Sequence, residues 1–334
     1  MKSRFGKILR GVGGTLSLPV LVYCFFALLC AANGKSGFGV GSDLGIIWRN
    51  TIYSGLISLA LSFNLTSGRF DFSVGSILIL SVILGVDTAL ALGWGPLPLL
   101  LACLAFGALL GLLSGLAYVL LRLPPIVVSI GVAMIYEAIA FLLNGGRGVS
   151  VIMHPELPVF ASPGAIALLA AVIVAFLVVL TNFTKFGYNS NSLRSGQATA
   201  VNIGIDEKRN ALACYSIAGS LMAAAGAISL SILGTMTPKL SLGSSSYMMN
   251  AFLPLFLGGF LARFSDRNVG IVAGAFVQAC IISGFAILGL SVSLQSVLNT
   301  LIVLAFLLFT ANSYKLEEFR LMKAKRLSAL SARG

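Results

Sequence analysis

The chain has 334 residues, of which 58% are hydrophobic and only 10% charged. A soluble domain is nearer half apolar and a quarter charged, so an ordinary soluble enzyme is excluded, and a disordered chain fails on the same figures. The net charge is +12, from 22 Lys+Arg against 10 Asp+Glu, but the cations lie between apolar runs and at the two ends, which argues against a nucleic-acid surface.

Apolar runs fall at 15–32, 44–63, 72–91, 96–121, 125–143, 164–181, 210–232, 247–262, 268–288 and 293–311. Each is close to the roughly 20 residues that span a bilayer. In hydrocarbon only a helix satisfies the backbone of an isolated segment. The expectation is therefore an all-α polytopic integral membrane protein with about ten transmembrane helices. The basic segment 1–14 (Lys2, Arg4, Lys7, Arg10) precedes the first run like the n-region of a signal peptide. With nine runs following, it reads as an uncleaved signal-anchor. Ten spans put both termini on one side, expected to be cytoplasmic. Of the 22 cations, 18 then lie inside, while Lys35, Arg147 and Lys239 lie outside and Arg49 sits within a span. That is a strong positive-inside bias. The permease core is read as 15–311, and the basic tail 312–334 as a segment attracted to anionic lipid.

Two connections are long. Segment 144–163 carries Gly145, Gly146, Arg147, the sole histidine His154 and three prolines, and is expected at the extracytoplasmic surface. Segment 182–209 is polar and holds an amphipathic stretch, Ala198, Val201, Ile203 and Ile205, suited to docking a cytoplasmic partner. Gly107, Gly111 and Gly115 in the fourth run face Gly270 and Gly274 in the ninth as a possible inverted repeat, with generic small-residue packing as the competing reading.

Little here carries chemistry. Asn33-Gly34-Lys35-Ser36 ends like a phosphate-binding loop, but Leu29 stands where that motif needs glycine. The five cysteines sit in apolar runs without ligand spacing, and with a single histidine nothing suggests a metal centre or a hydrolytic triad. Arg49, Asp87 and Glu137 lie within spans, where charge is costly. Either Arg49 neutralises one of the carboxylates and pins helices together, or the acids form a relay. The eighth run is short and interrupted at Pro254 and Gly258-Gly259, as helices lining a pathway tend to be. Asn64, Ser129, Asn250, Gln278 and Asn299 join these as pathway candidates, with interhelical hydrogen bonding as the alternative.

The stretch Ser67-Gly68-Arg69-Phe70-Asp71-Phe72-Ser73-Val74-Gly75-Ser76 resembles the Gly-Gly-Ile-Asp-Leu-Ser-Val-Gly-Ser signature of ribose/xylose-type sugar ABC importer permeases, within the branched-chain amino acid/ribose permease superfamily. Gly68, Asp71, Ser73, Gly75 and Ser76 carry the match. Further blocks agree in order: Gly111 to Gly115 with Leu121 to Ile126, Phe186-Gly187, Gly204-Ile205, Leu257-Gly258-Gly259, and Gly270 to Gly274. The resemblance implies a multi-pass permease subunit of the bacterial inner membrane, itself no enzyme, passing a monosaccharide or similar polar solute. It implies a second permease subunit, cytoplasmic ATPase subunits that bind the ATP and Mg, and a periplasmic binding protein, with no cofactor in this chain. Coupling to the ATPase is carried onto Gln197, Ala198, Val201, Ile203, Gly204 and Ile205. Departures at Arg194-Ser195-Gly196 and Met248-Met249-Asn250 suggest half of a heterodimer. An ion-coupled carrier using Glu137 or Asp87, and an amino-acid permease, are the alternatives.

Overall fold

A computed structural model describes the backbone of residues 2–331 apart from 36, 66, 155–156 and 158–161, and side chains of 11–310 and 312 apart from these and 163. Pro155 and Pro158 of the long outer connection lie outside the described residues. The helices are α1 (Lys2–Ala32), α2 (Ser42–Leu65), α3 (Val74–Leu92), α4 (Pro96–Leu121), α5 (Pro125–Leu142) and α6 (Pro163–Phe183). There follow α7 (Lys185–Ser195), α8 (Gln197–Asn202), α9 (Glu207–Leu233), α10 (Ser245–Met249), α11 (Phe252–Leu261), α12 (Arg267–Ile287) and α13 (Val292–Ser331). Two short strands, β1 (Val149–Ser150) and β2 (Thr235–Met236), pair antiparallel with Val149 opposite Met236. They tie the connection after α5 to the end of α9.

Local chemistry sets the boundaries. Pro96 and Pro125 open α4 and α5 at N1, where the missing N–H is an orphan in any helix. Gly93 closes α3 in the left-handed region at φ 62°. Asp206 caps α9 by accepting from Arg209 N at 3.1 Å, and Asp266 caps α12 by accepting from Asn268 N at 2.8 Å.

Among the described residues nine helices are long and apolar enough to cross a membrane. The expected run at 247–262 is instead the short pair α10–α11. Its interruption falls at Asn250-Ala251, before Pro254 and the double glycine that the sequence suggested. Pro254 sits in the first turn of α11, where proline is tolerated. Gly258 serves a different need: a Cβ there would strike the backbone of Ile271 in α12.

Helices α2, α3, α9 and α12 form the buried centre, and α6 and α13 are mostly exposed at the rim. Helix α4 packs on α9 and α3, α12 packs on α2 and α11, and α2 meets α9 between them. Exchanging α2, α11 and α12 for α9, α3 and α4 reproduces this pattern, as an inverted repeat requires. The glycines do not follow that symmetry. Gly107 and Gly111 lie against the Gly219 and Tyr215 carbonyls of α9, whereas Gly270 and Gly274 lie against α11. They mark close backbone approach. Four of the cysteines are buried and Cys24 is exposed.

Inserting bulk into such a seam costs ~1–3 kcal/mol or more. Gly111→Leu therefore lowers the thermal unfolding temperature of the purified protein, whereas Gly131→Leu, with nothing within 4 Å of its added Cβ, leaves it unchanged or raises it.

Candidate translocation core and coupling joint

The signature stretch forms the turn from α2 into α3. Gly68 takes φ +75°, a conformation costly for any residue with a Cβ, and the chain folds back so that Arg69 N donates to Asn64 O at 3.0 Å. Asp71 is then buried, its Oδ1 accepting from Ser73 N at 2.9 Å and Ser73 Oγ at 2.6 Å, and its Oδ2 from Asn64 Nδ2 at 3.0 Å. Burial pushes the Asp71 carboxyl above its ordinary value, and these three donors oppose the shift. Ser73 Oγ lies 3.3 Å from Ser114 Oγ of α4. Ser114 and Tyr136 of α5 both donate to Leu110 O, at 3.1 and 2.8 Å. Polar contacts thus run from α2 through the turn to α4 and α5. Ser76 donates to Ser73 O at 2.8 Å, and a Cβ on Gly75 would hit the Ser244 carbonyl ahead of α10.

Arg69, in the same turn, is only 2% exposed. Its Nη1 lies 3.1 Å from Glu207 Oε1 in the first turn of α9, and its Nη2 donates to Asn210 Oδ1 at 3.4 Å. Tyr118 of α4 donates to the same Glu207 oxygen at 3.2 Å. Asn210 Nδ2 donates to Ser190 Oγ of α7 at 2.8 Å. One guanidinium therefore joins the signature turn to α4, α7 and α9. Helix α8 hangs between α7 and α9, with Gln197, Ala198, Val201, Ile203 and Gly204 exposed and Ile205 half-buried. Val201 and Ile203 present apolar surface at 45% and 72% exposure, the kind of patch that marks a partner contact. Sequence reasoning counted Arg69 only as one more inside cation and passed over Glu207, Asn210, Tyr118 and Tyr136. A cation inside an otherwise apolar turn was the available signal.

Each of the two intramembrane acids meets amide donors. Glu137 is buried, and its Oε2 accepts from Leu242 N at 2.8 Å and its Oε1 from Ser244 N at 2.9 Å. These bonds hold a turn in which Ser241 and Leu242 take φ +58° and +61°, a strained choice for side-chain-bearing residues. Asp87 accepts from Asn144 Nδ2 at 3.0 and 2.9 Å. Backbone and side-chain amides thus supply donors to both carboxylates. Lys239 lies with its Nζ 4.2 Å from the Tyr247 ring centroid, and burial pushes its ammonium below the usual range while Glu137 opposes this.

The pathway candidates divide. Asn64 and Asp71 face Met248 and Phe252 across a small gap, and Ser129 lies beside them, its Oγ 3.4 Å from Phe70 O. Gln278 instead donates to Asn250 O, bracing the break before α11 from α12. Pro254 and Gly258 are buried in the α11–α12 seam, Gly259 is exposed, and Asn299 is buried on α13.

Buried turn, broken helix and exposed segment on one helical bundle are the anatomy of a membrane transport subunit. Residues 44–309 match the family described as branched-chain amino acid transport system / permease component, and the chain belongs to that family. It is a multi-pass permease subunit of an ABC importer in the bacterial inner membrane, and that class works with ATPase and substrate-binding partners. The chain is 27% identical over 314 residues to the ribose import permease protein RbsC of Bacillus subtilis (strain 168), covering 90% of this chain and 92% of that one. It is 26% identical over 260 residues to the autoinducer 2 import system permease protein LsrC of Escherichia coli (strain K12 / DH10B), covering 76% and 75%. To LsrC of Enterobacter sp. (strain 638) it is 28% identical over 269 residues, covering 79% and 76%. No solved structure matches the chain.

Glu137→Leu strands two amides, at ~1–3 kcal/mol each, and is expected to speed hydrogen exchange across 237–244. Glu137→Gln, which keeps an oxygen to accept from one of those amides, is expected to speed the exchange less than Glu137→Leu; equal exchange in the two variants contradicts the geometry.

Proposed function

We propose that this permease imports a monosaccharide or similarly small polar solute handed over by a periplasmic binding protein, with both termini in the cytoplasm. The observation that carries the reading is the Arg69 joint, which ties the exposed α8 segment to the buried signature turn. Movement imposed on Val201 and Ile203 from the cytoplasm would be passed through Glu207 and Asn210 to Arg69. From there it reaches the contacts of Asp71, Ser73 and Ser114 between α2, α3 and α4. Such a push biases inward- and outward-open states only through unequal affinity of the motor for the two. ATP and Mg belong to the ATPase partner, and this chain binds neither.

The solute class follows the names of the ribose and autoinducer 2 relatives in preference to an amino acid. Orientation follows the positive-inside distribution. The departures at Arg194-Ser195-Gly196 and Met248-Met249-Asn250 favour pairing with a second, different permease. The carboxylate hydrogen bonds of Glu137 and Asp87 suit structural fasteners better than an ion-coupled carrier.

Proteoliposomes holding the chain with its ATPase, binding protein and second permease are expected to take up ribose-like solute only with ATP, and to hydrolyse ATP faster when the loaded binding protein is added. Uptake by vesicles containing this chain alone under an ion gradient contradicts the reading. Full activity without a second permease contradicts the heterodimer.

A further inference from the structure

At the end of the bundle that carries α7 and α8, a polar cavity of about 260 Å³ opens between α6, α7 and the start of α12. Arg194 and Arg267 both line it. Neither has an ion-pair partner among the described residues, and Arg267 Nε is buried without a hydrogen bond. The acid in the wall, Asp266, bonds to neutral groups of the same lining: its Oδ1 accepts from Asn268 N at 2.8 Å and its Oδ2 from Asn182 Nδ2 at 2.6 Å. With Asp266 counted, the lining keeps one cation in excess, and neither arginine is paired with that acid.

A second, open groove of about 560 Å³ runs along α12, with Val174 of α6 on one side and α1 and α2 on the others. Its walls are almost wholly apolar, including Leu16, Val20, Trp48, Val174, Val272 and Phe276. The two cavities share a seam. Asn268, Val272 and Phe276 stand four residues apart on one face of α12, and Val174 and Thr181 seven apart on one face of α6. At 1.5 Å per residue the apolar groove begins within about 6 Å of the cationic end and continues along α12.

We propose that this seam binds one anionic phospholipid, its phosphate between Arg194 and Arg267 and an acyl chain along the groove. An acidic side chain of a partner protein would answer the arginines and leave the groove unfilled. A neutral lipid would fill the groove and leave the cations unmatched, and a zwitterionic one would bring a phosphate whose charge its own ammonium offsets. A molecule with an anionic head and an apolar tail answers both, and basic pockets between membrane helices are known lipid sites.

The test is native mass spectrometry of the full chain, purified with its partner subunits from membranes containing phosphatidylglycerol and phosphatidylethanolamine. The wild type is expected to retain one phosphatidylglycerol. Arg194→Gln/Arg267→Gln should weaken retention roughly thirtyfold, at about fivefold for each cation. Arg194→Lys/Arg267→Lys should retain it in part, which separates lost charge from lost fold. Val272→Trp, filling the groove with both arginines intact, should also release the lipid. Equal retention of phosphatidylethanolamine, or unchanged retention in the glutamine double variant, overturns the proposal. Release by the arginine variant but not by Val272→Trp overturns it in favour of a free anion. Loss of the ATPase without loss of lipid assigns the arginines to a protein contact and likewise overturns it.

Discussion

A guanidinium withdrawn from water at the end of a membrane helix needs a carboxylate beside it, because removing one partner of a buried pair costs about 3–5 kcal/mol. In this chain Arg69 meets that need with Glu207 at 3.1 Å. The pairing fixes where the α2–α3 turn stands relative to the foot of α9. Once it is fixed, Asn210 and Ser190 bring α7 to the same point, and α8 is left projecting between two anchored helices. The buried Asp71 network and the exposed apolar pair Val201 and Ile203 become two ends of one body.

The turn ahead of α10 is held by another carboxylate in another manner. Glu137 satisfies backbone amides in place of a cation, and so shapes the turn that precedes α10. Gly75 meets that turn at the Ser244 carbonyl, which places the start of α3 against it. The signature stretch thus touches both the foot of α9 and the turn before the broken helix. Glycine seams between α4 and α9 and between α11 and α12 bring backbones close enough to act as stiff units. A stiff pair moved at one end moves at the other.

Much of the architecture was legible from hydropathy, because hydrocarbon leaves a spanning segment no choice but helix. The run at 247–262 was legible as interrupted, but the break falls at Asn250-Ala251, because Pro254 fits the first turn of α11 and Gly258 serves a helix contact, so neither breaks α11. The signature residues were readable through the resemblance, and the exposed α8 through its polarity. The partners of Asp87 and Glu137 were not legible, for a definite reason. Sequence spacing reveals charges but not the amides that satisfy them, and Asn144, Leu242 and Ser244 are far off in the chain. The Arg69–Glu207 pair was hidden by the same separation.

The central claim is that cytoplasmic work reaches the core through this buried ion pair. Solute imported per ATP hydrolysed by the reconstituted assembly, compared between the wild type and Arg69→Gln, tests it most directly. Arg69→Gln is expected to hydrolyse ATP still while import falls, so that the ratio collapses. If import and hydrolysis keep the wild-type ratio, whether both persist or both decline together, the joint does not transmit the stroke and the account is wrong.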